Sequence, residues 1–290
     1  MKRRHFLENS GMALGMAAFH NFPYALYAGG TKKLASDRIK LGPMGVGTSR
    51  LAMGTGTNGV GGSSNQTKKL GLAGVSDLFR AGYDNGVTFW DAADQYGTHP
   101  HVKQALRSVP REKVTLLSKT HASTAAEMKA DLDRFRMEMG TDYIDVLLLH
   151  CMIEGNWPER KKGAMDVLAE AREQGIIRTH GTSCHTLEAL KTAAKTDWVQ
   201  VDLARINPAG IAMDDKDPAV VIEVLRQMKA AGKGIIGMKI LGAGKLRHKP
   251  DECLQFALAQ DVVDCFTIGA ESREELLDLT RKIPAASVRG

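Results

Sequence analysis

Four side chains able to hold or move a proton fall at or near the ends of successive strand-like runs. Asp91 and Tyr96 lie in Val87-Thr-Phe-Trp-Asp-Ala-Ala-Asp-Gln-Tyr-Gly97. Lys119 lies in Val114-Thr-Leu-Leu-Ser-Lys-Thr120, and His150 closes Tyr143-Ile-Asp-Val-Leu-Leu-Leu-His150. A carboxylate, a phenol, an ammonium and an imidazole suit carbonyl chemistry, where charge grows on an oxygen that must then be protonated. Taken singly, each has a plainer use: Asp91 and Lys119 as an ion pair, Tyr96 as a loop residue, His150 as a strand-end hydrogen-bonding group. At the carboxyl ends of three consecutive strands of one parallel barrel, the four would meet at one mouth.

The elements needed for that arrangement are present in the hydrophobic pattern. Short apolar or β-branched runs end near Gly54, Asp91, Ser118, His150, Thr182, Leu203, Lys239 and Gly269. Between them, helical periodicity predicts helices over Lys68–Asn85, Ala125–Met139, Pro158–Gln174, Thr186–Thr196, Asp217–Ala231, Pro250–Ala259 and Arg273–Ile283. Alternating strands and helices are the signature of βα units. About eight of them fit a single-domain α/β fold, a (β/α)8 TIM barrel, better than an open sheet. Gly54-Thr-Gly56 lacks the third glycine of a dinucleotide fingerprint and does not open a helix, which argues against a Rossmann arrangement.

These segments resemble the aldo-keto reductase superfamily, and the resemblance runs in order along the chain. Ile39-Lys-Leu-Gly-Pro-Met-Gly-Val-Gly-Thr-Ser-Arg-Leu-Ala-Met-Gly-Thr-Gly56 is similar to the family's opening hairpin and first strand. The Asp91–Tyr96 segment is similar to its second strand, and Met139 to His150 to its fourth. Gly175-Ile-Ile-Arg-Thr-His-Gly-Thr-Ser183, Val199-Gln-Val201 and Gly237-Met-Lys-Ile-Leu-Gly-Ala-Gly244 continue the match.

The resemblance implies reduction of an aldehyde or ketone to an alcohol, or the reverse, with a nicotinamide cofactor supplying hydride and Tyr96 the proton. A free phenol has a pKa of about 10. Lys119 is expected to lower it, Asp91 to hold the ammonium, and His150 to donate a hydrogen bond to the reacting oxygen. On the cofactor side the resemblance points to Ser183 and Gln200 for the carboxamide and Met238 in the place of a stacking aromatic; Gly242 and Gly244 allow backbone approach to the pyrophosphate, and Gly269 is also expected on the cofactor side. Cys184 departs from the family's Asn, and a thiol can replace little of an amide's hydrogen bonding. The cofactor is expected to be NAD or NADP. In Gly269-Ala-Glu-Ser-Arg-Glu-Glu275, the acidic Glu271 and Glu275 favour NAD, because carboxylates disfavour a 2′-phosphate.

Two other functions fit parts of the pattern. One is a barrel that binds nicotinamide nucleotide as a sensor or partner subunit without turnover. The other is a metal-dependent hydrolase using His150-Cys151 and Cys184-His185. The four cysteines (Cys151, Cys184, Cys253, Cys265) form no CxxC pair, which argues against a zinc ribbon, a thioredoxin motif or an iron–sulfur insert.

The formal charge is +6, of which Lys2, Arg3 and Arg4 against Glu8 contribute +2, leaving +4 for the remainder. No basic run with interleaved aromatics follows, so a nucleic-acid partner is not expected. The basic start, the apolar stretches Gly11 to Phe19 and Phe22 to Ala28, and small residues near Leu26-Tyr-Ala28 occur in the order of a signal segment. Lys2-Arg-Arg-His-Phe-Leu7 resembles a twin-arginine signal, departing from it at Lys2 and Glu8. We therefore expect residues 1–30 to be a twin-arginine signal for the Tat export machinery, residues 31–290 to form the barrel, and the protein to be periplasmic. No stretch reaches the roughly 20 apolar residues of a transmembrane helix. The remaining partner is a small-molecule carbonyl or alcohol. The short stretch after the last helix suggests an open site, compatible with sugars or other bulky carbonyls.

Overall fold

The computed structural model describes residues 32–287, so the expected signal segment lies outside the described residues. A hairpin, β1 (Arg38–Leu41) and β2 (Val46–Ser49), precedes the barrel. Eight parallel strands then close on themselves: β3 (Leu51–Gly54), β4 (Phe89–Asp91), β5 (Thr115–Thr120), β6 (Ile144–Met152), β7 (Ile177–Cys184), β8 (Val201–Arg205), β9 (Gly234–Met238) and β10 (Cys265–Gly269). β10 returns beside β3, pairing Phe266 with Leu51 and Gly269 with Gly54. This is the expected (β/α)8 barrel.

Strand alternation sorts the side chains into two layers. Ala52, Phe89, Leu117, Val146, Leu148, Val201, Leu203, Ile236 and Cys265 fill the inside of the barrel. Their neighbours one position away, such as Trp90, Leu116, Leu147, Ala204 and Ile235, pack against the helices. The hairpin closes the amino-terminal end: Leu41 and Val46 join the interior cluster, and Gly42 turns against Gln200 and Val201. Gly42 has φ +62, and a Cβ there would lie 3.0 Å from the Gln200 carbonyl oxygen, so the turn suits glycine.

The outer helices are α1 (Asn65–Asp84), α2 (His99–Ala105), α3 (Ala125–Met139), α4 (Trp157–Arg160), α5 (Lys162–Glu173), α6 (Leu187–Lys195), α7 (Pro218–Ala230), α8 (Pro250–Ala259) and α9 (Arg273–Ser287). Local chemistry explains their limits. Thr124 and Glu127 form a capping box at the start of α3, and Gly140 ends it at φ 66. Ser64 and Thr67 cap α1 reciprocally, which starts it earlier than the apolar stripe alone indicates. The single helix expected over Pro158–Gln174 is divided at Lys161, whose Nζ donates to the carbonyls of His121 and Ala122. Among the described residues no helix is long and apolar enough to cross a membrane.

Candidate active site

Interior-facing positions at the carboxyl ends of the strands build the mouth. β4 ends in Asp91, β5 carries Lys119, β6 carries His150, β7 carries Ser183 and β8 ends in Arg205. Lys119 is 1% exposed and lies against Asp91 in an ion pair, also donating to the Ala92 carbonyl at 3.0 Å. The second carboxylate oxygen of Asp91 accepts from Thr267 Oγ1 at 2.8 Å. Both charges are therefore compensated and hydrogen-bonded, as burial requires.

Tyr96 enters from a 3-10 turn, Asp94–Tyr96, that follows β4. Arg134 of α3 grips that turn through both oxygens of Asp94, at 2.7 and 3.0 Å, and Gly97 ends it at φ 65. The Tyr96 hydroxyl lies 3.4 Å from His150 Nε2, and the Lys119 ammonium lies 4.8 Å from the centre of the Tyr96 ring. Asp91, Tyr96, Lys119 and His150 thus share one site.

Two glycines set the position of that ring. A Cβ on Gly56 would fall 2.3 Å from Tyr96 Cε2, and one on Gly59 2.3 Å from Cδ1. Gly56→Ala is expected to displace the phenol and lower turnover about tenfold or more while leaving the melting temperature nearly unchanged, because a shift of about 1 Å can cost 10²-fold. Wild-type turnover in a folded Gly56→Ala protein would show that the ring has room to spare.

His150 sits on a β-bulge. The β6–β7 register shifts between Leu149 and Met152, and Cys151 takes a left-handed φ of 63. Bulges re-aim side chains, and this one turns the strand end across the mouth. The Cys151 N–H donates to Ser183 Oγ at 3.1 Å, tying β6 to β7 at the same level. His121, at the start of the loop after β5, stacks on the His150 ring with centroids 4.8 Å apart, and its Nε2 lies 2.9 Å from Gln95 Oε1.

Burial, then the nearby Lys119 charge, pushes the His150 imidazole down to about 2, so it is neutral at physiological pH. Burial raises the Tyr96 phenol, and the Lys119 charge only partly opposes this. Lys119 acts in the expected direction, but desolvation outweighs it, so the expected net lowering is corrected to a rise and Tyr96 is held protonated. Although burial pulls the Lys119 ammonium down, Asp91 and Tyr96 raise it above its ordinary value.

Burial likewise lowers His180 to about 4 and His185 to about 3. An unfolded imidazole binds a proton near pH 6.5, whereas these three refuse it in the native state. Between those values the unfolded chain binds more protons, so stability is expected to fall as pH drops below about 6.5. The slope is about 1.4 kcal/mol per pH unit for each refused proton. Urea unfolding at pH 7.5 and 5.5 checks this; an unchanged midpoint would mean the imidazoles are solvated.

The residues expected on the cofactor side separate into two groups. Ser183 is at the mouth, Met238 is buried at the end of β9, and Gly242–Gly244 form a 3-10 turn just beyond it. Gly244 is exposed with φ 88 and open space around its Cβ position, so a ligand backbone or phosphate can approach it closely. Gly269 is also exposed, opposite Gly54.

Gln200 is not with them. It precedes β8 at the hairpin-closed end, and its Oε1 accepts from Thr179 Oγ1 at 2.8 Å, near the start of β7. Its assignment to the carboxamide is corrected: it lies below Val201 and Leu203, and Arg205 is the residue that β8 presents at the mouth. Cys184 faces the outer layer, where its Sγ lies 3.7 Å from Thr182 Oγ1.

A soft-metal site at His150, Cys151, Cys184 and His185 does not assemble, because Cys184 points out of the barrel and Cys151 Sγ pairs with His185 Nδ1 at 3.3 Å. Asp94, His99 and Glu138 do gather potential ligand atoms. There, however, Arg134 bonds Asp94 and Glu138, while His99 bonds Glu138 and Ser118. That cluster anchors the Tyr96 turn.

Barrel and site together define a (β/α)8 protein with a buried Asp–Lys pair beside a tyrosine and a histidine. The Aldo/keto reductase family description matches residues 51–255, and the chain belongs to this family. An aldo-keto reductase of Mycobacterium avium (strain 104) is 33% identical over 163 residues, covering 48% of this chain and 54% of that protein. Aldo-keto reductase AMT2 of Alternaria alternata is 24% identical over 217 residues, covering 60% and 57%. The chain thus spans just over half the length of these curated relatives. The solved structure of PA4992 from Pseudomonas aeruginosa superposes with a TM-score of 0.73 at 20% identity, covering 88% of this chain and 98% of that one, a likeness of fold.

Proposed function

We propose that the protein reduces aldehydes or ketones, or oxidises the corresponding alcohols, with a nicotinamide cofactor. The observation that carries this reading is the Tyr96 hydroxyl, 3.4 Å from His150 Nε2 and backed by the buried Lys119–Asp91 pair. Family membership supports the oxidoreductase class. Ser183, Met238 and the Gly242–Gly244 turn suit the cofactor: a hydroxyl at the rim, an apolar thioether at the strand end and an open glycine. Bound there, a reduced nicotinamide would supply hydride.

The chain's own groups supply the rest. A carbonyl oxygen between the Tyr96 hydroxyl and His150 Nε2 receives two hydrogen bonds where charge develops. Tyr96, held protonated by burial, gives up its proton, and Lys119 stabilises the resulting phenolate. Asp91 keeps Lys119 charged and in place. In oxidation the phenolate is the base.

NAD is the favoured cofactor in this proposal. Glu271 accepts from Asn65 Nδ2 at 2.9 Å and lies 3.7 Å from Lys69, while Glu275 accepts the Glu271 N–H at 2.7 Å. Glu275 thus also serves as a local helix-start cap, and the disfavour toward a 2′-phosphate rests mainly on Glu271. The test is aldehyde-dependent oxidation of NADH, together with fluorescence titration of NADH and NADPH. Tighter NADH binding is expected; clearly tighter NADPH binding would overturn the preference, and no oxidation of either cofactor across a panel of aldehydes would overturn the reductase reading.

Export by the twin-arginine route, to the periplasm, completes the proposal. It rests on Lys2-Arg-Arg-His-Phe-Leu7 and the apolar stretch behind it. Fractionation of cells expressing the full chain and an Arg3→Lys/Arg4→Lys variant tests it: the wild type should reach the periplasm and the variant remain inside.

A further inference from the structure

The groups that hold Tyr96 and Lys119 from behind meet at one side chain. Arg134 of α3 forks onto both oxygens of Asp94, at 2.7 and 3.0 Å, two residues before Tyr96. Its Nη2 also donates to Asp131 at 2.7 Å, and Asp131 accepts from Thr120 Oγ1 at 2.5 Å. Its Nη1 donates to Glu138 at 3.2 Å, and Glu138 lies 2.8 Å from His99 Nδ1. On the other side of that ring, His99 Nε2 lies 2.7 Å from Ser118 Oγ. Ser118 and Thr120 flank Lys119 on β5. One guanidinium is therefore linked directly to the Tyr96 turn, and to both neighbours of Lys119 through Asp131 on one side and Glu138 with His99 on the other.

Each link favours one geometry. Strand alternation turns Lys119 into the mouth and Ser118 and Thr120 outward, so the network grips β5 from the side away from the reacting groups. Burial holds the His99 imidazole below its ordinary value, although Glu138 opposes this, and the ring is neutral. Because the Glu138 carboxylate can only accept, Nδ1 carries the proton and Nε2 accepts from Ser118. His99 is 1% exposed, and the Phe135 ring packs against it with centroids 4.6 Å apart, which leaves it little freedom to turn. The Arg134–Asp94 fork alone would suffice to hold the Tyr96 turn on α3. Three carboxylates around one guanidinium leave two negative charges in excess within the cluster, which adds repulsion rather than stability. What the second and third carboxylates add is a fixed distance between the turn after β4 and the end of β5.

We propose that Arg134 is a positioning residue for proton transfer: from outside the barrel it sets the separation between Tyr96 and Lys119, and so the ease with which the phenol gives up its proton. Its part in turnover rests on the reductase reading above. The Lys119 ammonium lies 4.8 Å from the centre of the Tyr96 ring, close enough for a small displacement to matter. Gly56 and Gly59 limit the movement of the ring, but they lie after β3 and hold no part of β5. Without the guanidinium, Asp94, Asp131 and Glu138 repel one another, and the Tyr96 turn is no longer tied to the strand that carries Lys119. A phenol farther from an ammonium ionises less readily. Reduction then slows, while the cofactor, whose proposed contacts lie on β7 and beyond β9, binds as before.

The experiment compares wild type with Arg134→Met, Arg134→Lys and a control on the same helix, Arg136→Met, whose guanidinium bonds Asp133 and the carbonyls of Leu132 and Asp142. Arg134→Met is expected to lower kcat about tenfold or more, since a displacement of about 1 Å can cost 10²-fold, with KM and NADH affinity within about twofold of wild type. The alkaline decline of kcat, which reports ionisation of the Tyr96 phenol, should move up by about half a pH unit or more as the phenol loses part of its cation. Arg134→Lys keeps the charge without the fork and should fall between the two. Arg136→Met should change stability alone. Ultraviolet difference titration against a Tyr96→Phe protein reads the same phenol without turnover and should show the same upward shift in Arg134→Met. The proposal is overturned if folded Arg134→Met keeps the wild-type alkaline decline and phenol titration, even where its melting temperature or kcat falls, because the role would then be structural only. Should Arg134→Met not fold, the same two readouts on Arg134→Lys decide. If wild type reduces no aldehyde, the reductase reading fails, and the phenol titration still decides whether Arg134 holds Tyr96 to Lys119.

Discussion

Tyr96→Phe is expected to reduce carbonyl turnover by about 10²–10⁴ while leaving the barrel and cofactor affinity nearly intact, the range typical for removal of a general acid. The substitution deletes only the hydroxyl that lies 3.4 Å from His150 Nε2. The ring should stay, because Gly56 and Gly59 confine its edges and Lys119 remains 4.8 Å from its centre. A change in kcat with little change in KM follows, since the lost interaction forms mainly as charge develops. The pH profile adds a second readout. Burial raises the Tyr96 phenol, so reduction by wild type should persist to alkaline pH and decline only as the phenol ionises. Tyr96→Phe should lack that alkaline limb. Unaltered turnover on an authentic substrate would remove Tyr96 from the mechanism and shift attention to His150 or a water.

Much of this site was legible because a barrel converts a period of two into position. Asp91, Lys119 and His150 each sit in phase with the interior residues Phe89, Leu117 and Leu148, so strand pattern alone carries them to one end. Gln200 shows the limit of matching a local string. Val-Gln-Val looked like the family's sixth strand, but the strand begins at Val201, which places Gln200 at the closed end and Arg205 at the open one. The turn after Met238 is legible at Gly242 and Gly244, whose residue type suits a positive φ, but not at Lys239, which takes φ 57. The clamp on Tyr96 joins Gly56 and Gly59 to a ring nearly forty residues away, a tertiary contact that spacing cannot show. The cation beside Tyr96 is visible in the sequence, whereas the burial that outweighs it and raises the phenol is not.

Lys119→Met is expected to lower stability and abolish turnover together, and a second substitution separates the two effects. Lys119 is 1% exposed, bonded to Asp91 and to the Ala92 carbonyl. Removing the ammonium leaves the Asp91 carboxylate buried with, among the described residues, only Thr267 to bond it. Breaking a buried ion pair on one side costs about 3–5 kcal/mol, because the remaining charge is uncompensated. For a domain of this size about 1 kcal/mol moves the melting temperature by roughly 2–4 °C, so a fall on the order of 10 °C is expected. Lys119→Met/Asp91→Asn removes both charges and should regain much of that loss, since a buried pair replaced as a whole is often nearly neutral. Its turnover should not return: nothing then stabilises the Tyr96 phenolate or keeps a cation beside it. Stability restored without activity would mark the pair as part of proton delivery. A single variant as stable as wild type, or a double variant as active as wild type, would show that the pair is neither strongly coupled nor required.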